Sequence, residues 1–216
     1  MARVVMIPGL AVRHYLDGSA AALRRAGHDV QLLPPLGWRE TGTDLRRYAQ
    51  NIARAADRDG PADLMIGMSI GTQLAVVAAA AGGVADHLLL ISPTIAPAQR
   101  SVTSALAVWL RGENHPDSPG PGTHYRDWLR AGPDGIVGGI RSAITVRLED
   151  ELDGLPIPYT IVHGAADQLS PLEFAALLAD RSAGRLLVMP DAPHSWPVRD
   201  DVRFLRLVDQ LRESSK

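Results

Sequence analysis

The stretch Leu64-Met-Ile-Gly67-Met-Ser69-Ile-Gly71, followed by the small-residue run Thr72 to Ala81, restricts the fold more than any other part of the 216-residue chain. A serine stands here between glycines at minus two and plus two. A Cβ at either place would crowd the neighbouring backbone where a strand turns sharply into a helix. Asp63 to Gly67 reads as a short buried strand and Ile70 to Ala81 as a buried helix, which is the setting such a corner requires. The corner lifts the Ser69 hydroxyl off the end of a sheet. It also sets Ser69 at a helix N-terminus, where free backbone N–H groups and the helix dipole favour negative charge on a nearby oxygen. Ser69 is therefore a candidate nucleophile.

Around this corner the chain alternates between strand and helix. Val4 to Ile7, His28 to Leu33, Asp63 to Gly67, Asp86 to Ile91, Pro158 to His163 and Arg185 to Met189 are predicted strands. Helical spacing separates them: Tyr15, Leu16, Ala20 and Leu23 before Gly27; then Leu45, Tyr48, Ile52 and Ala55 behind a Thr43 cap; then Pro171 to Arg181; and finally Val198 to Arg212. Strands joined through helices pair in parallel by right-handed crossovers, so the expected fold class is α/β, a three-layer α/β/α single domain over residues 1–216. The alternation lapses from about Thr94 to Leu155. There Ser101 to Arg111, Tyr125 to Ala131 and Ile136 to Val146 read as helices, with a Pro/Gly-rich loop at Glu113 to Gly122. Helices inserted between two strands of a sheet make a lid, expected over 94–155 and most mobile at that loop.

Zero cysteines exclude disulfides, thiolate metal sites and a cysteine nucleophile. A net charge of −2 with no basic stripe argues against a nucleic-acid partner. The longest apolar run, Leu74 to Ala85, is too short to span a bilayer, and Met1 to Gly9 lacks a signal peptide's apolar core, so a cytoplasmic location is the expectation. Lys216 is the only lysine beside many arginines, a composition that suggests a bacterial, GC-rich source. No metal or cofactor is expected, the partner is a small-molecule substrate, and nothing in the sequence sets the oligomeric state.

In an open parallel sheet the working residues lie just past the carboxyl ends of the strands. Those positions hold Pro8-Gly9-Leu10, Ser69, His163-Gly-Ala-Ala-Asp167 and Asp191-Ala-Pro-His194. A serine hydroxyl needs a base, and histidine has its free pKa near operating pH, which makes His194 the candidate. The imidazole in turn needs an acceptor to fix its tautomer and stabilise its charged form, a task for Asp167. His163, ending its strand before Gly164, is expected to pack or bond locally. Asp191 stands too close to His194 in sequence to present its carboxylate behind the ring, and strand four ends in Ser92-Pro-Thr94 with no acid at all.

With Ile7-Pro-Gly-Leu10, Gly67-Met-Ser69-Ile-Gly71, Gly164-Ala-Ala-Asp167 and Ala192-Pro-His194 assembled, the chain resembles the α/β-hydrolase superfamily over nearly its whole length. The serine–acid–histidine order is the one that family uses. The resemblance implies an oxyanion hole formed by the backbone N–H groups of Leu10 and Ile70, and a six-stranded parallel sheet in the order 2-1-3-4-5-6 with His28 to Leu33 at one edge. Two departures stand out. Pro8 occupies the place of the family's usual histidine, and the first strand is the oxyanion strand itself, with no preceding hairpin.

Such a site performs acyl chemistry: hydrolysis of an ester, thioester or lactone of a small to medium, partly apolar substrate. Serine rather than aspartate at the corner argues against epoxide-hydrolase and dehalogenase relatives. Trp109, Tyr125 and Trp128 are candidates to roof an apolar pocket, and Arg13 and His14 to meet a polar substrate group. A lyase or C–C bond hydrolase would use the same three residues. A non-catalytic binding member of the fold is disfavoured, because a decayed site would have lost one of them.

Overall fold

The computed structural model describes residues 1–182 and 184–214, with the side chains of all of these except 121 and 212–214. Six strands form one sheet: β1 (Arg3–Ile7), β2 (Asp29–Leu32), β3 (Leu64–Met68), β4 (Leu88–Ile91), β5 (Tyr159–Gly164) and β6 (Gly184–Met189). Their order is β2-β1-β3-β4-β5-β6 and every pairing is parallel, as the sequence implied. β1, which begins at Arg3, lies inside the sheet, and β2 and β6 are its edges.

Alternate strand residues serve two cores. Val4, Met6, Ile66, Met68, Leu89 and Val162 face a layer made by α1 (Asp17–Arg25) and the last helix, which supplies Phe204, Leu207 and Val208. Val5, Ile7, Met65, Leu90 and Ile161 face the other layer, built from α2 (Leu45–Asp59) and α3 (Gly71–Ala81) together with Phe174, Ala175 and Leu178 of the helix after β5. All residues of α3 from Gly71 to Ala79 are buried. Its many alanines suit a helix covered on all sides between a sheet and its neighbours, where close packing favours short side chains. The cap of α2 is Asp44 rather than Thr43: its carboxylate accepts from Arg47 N at 3.0 Å, which a shorter hydroxyl one residue earlier would not reach.

Between β4 and β5 come α4 (Val102–Arg111), α5 (Pro121–Ala143) and α6 (Leu148–Glu151). The two helices expected at 125–131 and 136–146 form one element, α5, broken at Gly132, whose φ of 66° and ψ of 170° leave the helical region just before Pro133. The part after the break lies directly on the body. A Cβ at Gly135 would come 2.2 Å from the Gly37 carbonyl oxygen, and one at Gly139 would come 2.4 Å from Leu10 Cδ1. Ser142 Oγ accepts from Leu45 N at 2.8 Å, and the buried Gln73 amide donates to the carbonyls of Ala143 and Val146 at 3.0 Å each. α7 (Leu172–Ala179) starts one residue after Pro171, and α8 (Asp201–Ser214) follows a 3₁₀ turn at Trp196–Val198. Among the described residues no helix is long and apolar enough to cross a membrane.

Candidate active site

Ser69 sits at the corner between β3 and α3 with φ of +56°, a left-handed conformation that costs a non-glycine residue roughly 1–2 kcal/mol. The glycines make the corner possible. A Cβ at Gly67 would come 2.5 Å from the Gly71 carbonyl oxygen, and one at Gly71 would come 2.3 Å from the Ile7 and 2.7 Å from the Pro8 carbonyl oxygens. Ser69 N donates to Ile91 O at 2.9 Å, and Ser69 O accepts from the Thr72 hydroxyl at 2.6 Å, so the strained residue is held from both sides.

The loop after β1 passes beside the serine, where a Cβ at Gly9 would touch Ser69 Cβ at 3.4 Å. Gly9 N donates to the Tyr15 hydroxyl at 3.1 Å and Ala11 N donates to Leu36 O at 2.9 Å, bracketing Leu10. Burial pushes the Tyr15 hydroxyl pKa far above its ordinary value, so it stays neutral. No hydrogen-bond acceptor among the described residues takes the amide hydrogen of Leu10 or Ile70. Both residues line the same cavity as Ser69.

The acid and histidine loops are brought together by another missing side chain: a Cβ at Gly164 would come 2.2 Å from Ala192 O and 2.6 Å from Pro193 O. Ala165 N and Ala166 N donate across to Met189 O and Ala192 O at 2.9 Å each. His194 Nδ1 then lies 2.8 Å from Asp167 Oδ2, with ring and carboxyl side chains 5% and 0% exposed. The other carboxyl oxygen, Oδ1, accepts from the backbone N–H groups of Leu169 and Ser170 at 2.8 and 2.9 Å. Burial pulls the Asp167 pKa upward, but the His194 charge and hydrogen bond, the Ser170 amide and the His163 charge outweigh it and hold the carboxyl below its ordinary value. Burial likewise pulls the His194 pKa downward, yet the Asp167 charge and hydrogen bond, with a further contribution from Glu113, leave it raised. With Nδ1 committed to the carboxylate, Nε2 is the nitrogen free to take a proton.

His163 is buried with its Nδ1 3.8 Å from Asp167 Oδ2, too far for a hydrogen bond, and no described partner takes that nitrogen. Burial depresses its pKa more than the Asp167 charge raises it, which leaves it below the ordinary imidazole value.

Ser69 and His194 share a cavity of about 570 Å³. Its walls are largely apolar: Val12 from the loop after β1, Val108 and Trp109 from α4, Trp128 and Ile140 from α5. The two tryptophans pack against each other at a centroid separation of 5.1 Å with their rings tilted by 53°. Three other residues named from the sequence lie elsewhere. Arg13 N and His14 N both donate to Asp127 Oδ2, at 2.7 and 3.0 Å, and the His14 ring bonds Asp127 Oδ1, so this pair anchors α5 from outside the cavity. Tyr125 is 61% exposed: one residue past His124, which lines the cavity, it is turned about 100° around the helix, away from it.

Sequence reasoning missed three supports. Tyr15 braces the loop after β1, the buried Ser92 hydroxyl donates to His194 O at 3.1 Å, and Glu113 Oε1 accepts from His194 N. Only Ser92 carried a signal, standing at the end of a strand among the other strand-end residues. Among the described residues no group of three or more His, Cys, Asp or Glu is placed to hold a metal ion.

No family model matches the sequence, and no curated protein matches it at a significant level. Solved structures do. The chain is similar to an esterase (EaEST) from Exiguobacterium antarcticum, at 20% identity and a TM-score of 0.75 over 99% of this chain and 92% of that one. It is similar to an N-acyl homoserine lactone degrading enzyme at 16% identity and 0.74 over 97% and 93%. It is also similar to a bromoperoxidase from Bacillus anthracis at 14% and 0.77 over 98% and 91%. With an all-parallel sheet in the order β2-β1-β3-β4-β5-β6, a serine in a left-handed corner after β3 and helices inserted after β4, the chain has the α/β-hydrolase fold.

Proposed function

We propose that the chain is a serine hydrolase that cleaves an ester, thioester or lactone of a small to medium, partly apolar substrate through an acyl-enzyme. One observation carries this reading: the strained Ser69 opens into the same cavity as His194, whose Nδ1 is 2.8 Å from the buried Asp167 carboxylate. In the proposed reaction Ser69 Oγ attacks the substrate carbonyl carbon while His194 Nε2 takes its proton. The amides of Leu10 and Ile70 donate to the resulting oxyanion. Collapse breaks the bond to the leaving alcohol or thiol, which receives the proton from His194. Water, deprotonated by His194, then adds to the acyl carbon, and collapse breaks the bond to Ser69 Oγ, which takes the proton back from His194 as the acid leaves. Trp109, Trp128 and their apolar neighbours suit a hydrocarbon portion of the substrate, and the helices at 94–155 act as the lid. The likeness to an esterase and to a lactone-degrading enzyme agrees with this class of bond. The composition suits a cytoplasmic bacterial enzyme.

The test is labelling with a fluorophosphonate probe and turnover of p-nitrophenyl esters graded by chain length. Ser69 carries the label, medium chains exceed acetyl, and Ser69→Ala abolishes both labelling and turnover. Full turnover of the native substrate by Ser69→Ala would reject the acyl-enzyme and assign the site to elimination or C–C cleavage, in which His194 works as a proton-transfer base.

A further inference from the structure

The loop that joins α4 to α5 crosses both of the loops that meet at His194. Arg111 Nη2 donates to Gln168 O at 3.2 Å, Asn114 N to Gln168 Oε1 at 3.2 Å, and Gln168 Nε2 to Asn114 O at 3.3 Å, so the loop is tied to the residue next to Asp167. Between those ties Glu113 turns inward. Its Oε1 accepts the backbone N–H of His194 and its Oε2 accepts the Ser118 hydroxyl. Glu113, Ser118, Ser69 and His194 all line the one cavity.

We infer that Glu113 is a positioning residue: the inserted segment, seated over the cavity, uses this carboxylate to hold the histidine loop in place and to supply a second negative charge beside the imidazole. The inference rests on His194 being the base proposed above. Among the described residues three titratable groups face His194, each from a different element: Asp167 from the loop after β5, His163 from β5 itself, and Glu113 from the inserted segment. Asp167 and His163 belong to the sheet and its turns. Of these, Glu113 is the one that reaches His194 from the roof, so the strength of the base follows whether the roof is seated. A carboxylate bonded to the main-chain amide takes no proton from the ring. It acts through its field, which favours the imidazolium, and through the bond, which fixes the loop.

Two variants separate these effects. Glu113→Gln keeps an oxygen to accept from His194 N and removes the charge. Glu113→Asp keeps the charge and withdraws it by one methylene from the amide. The readouts are the ¹⁵N imidazole titration of His194 in the resting protein and the pH profile of kcat and KM on a medium-chain p-nitrophenyl ester. In Glu113→Gln the His194 midpoint falls toward the ordinary imidazole value, and the acid limb of kcat/KM moves to lower pH with it. In Glu113→Asp the midpoint stays close to that of the parent, while kcat drops about 10-fold and KM changes little. A His194 titration identical in parent and Glu113→Gln would overturn the electrostatic role, as would a rate loss uniform at every pH. An unchanged kcat in Glu113→Asp would overturn the positioning role. If the parent turns over no ester, the proposed function fails, and the imidazole titration still decides the role of Glu113.

Discussion

The serine corner and the histidine loop both place a side chain at the end of the sheet, and they do so by opposite means. At the corner the work is local. Two absent side chains, at Gly67 and Gly71, let the backbone fold tightly on itself and on the carbonyls of Ile7 and Pro8, and the contacts come from β1 and the loop just after it, β3, β4 and α3. The loop carrying His194 has a looser frame, with long internal bonds from Ala192 N to Met189 O at 3.4 Å and Trp196 N to Pro193 O at 3.3 Å and the close approach of Gly164 beneath it. It is held from outside, by Ser92 at the end of β4, by Asp167 after β5 and by Glu113 from the inserted helices. Local sterics give a position that resists change elsewhere in the molecule, whereas borrowed contacts give one that other segments are able to adjust.

The widest separation between the two regions appears in substitutions. Ser69→Ala lowers kcat by on the order of 10⁴-fold or more, with the fold intact by circular dichroism, and His194→Ala matches it because the two act as a unit. Asp167→Asn follows at roughly 10³–10⁴-fold. It also moves the acid limb of kcat/KM to lower pH: the raised His194 pKa makes activity grow as pH rises through that value, and removing the aspartate charge lowers it. The linkage to stability has the opposite sense for the two partners. The depressed Asp167 pKa contributes stability above the ordinary carboxylate value that is lost as pH falls through the folded value, while the raised His194 pKa contributes below the ordinary imidazole value and is lost as pH rises.

Gly71→Ala tests the local frame itself. A methyl 2.3 Å from a backbone oxygen that cannot move alone forces the corner open, with a stability loss of about 2–4 kcal/mol in urea unfolding and loss of turnover. A Gly71→Ala protein as stable as its parent would mean that the corner is not sterically fixed. The smallest effect belongs to the roof. Trp109→Ala and Trp128→Ala change the ratio of medium-chain to acetyl ester turnover several-fold, by loss of apolar contact, and leave acetyl turnover within about 3-fold.

The sheet order, the parallel pairing and the corner were legible because each rests on short-range rules: period, strand–helix alternation, and the need for glycine where backbones touch. The pairing of His194 with Asp167 was legible for a related reason, since parallel strands deliver all their following turns to one end. What could not be read was direction within the inserted helices. Tyr125, Trp128 and Asp127 lie within one turn of α5, and the spacing alone does not say which of them faces the cavity; the buried clasp of Asp127 on the Arg13 and His14 amides decides it. Glu113 was invisible for the complementary reason. It stands in a Pro/Gly-rich loop read as mobile, and its partner is a backbone amide 81 residues away, a group that leaves no mark in composition or periodicity.

The Asp127 clasp also divides the cavity into a wall fixed to the body and a side that is not. It fastens α5 to the loop after β1 ahead of the Gly132 break, as the glycine contacts fasten it behind, so that wall of the cavity travels with the body. α4 has no comparable buried carboxylate clasp among the described residues. At its end Leu110 is 68% exposed and still lines the cavity, which marks the mouth. The cavity therefore opens toward solvent on the α4 side, beside Leu110 and the strap that follows it.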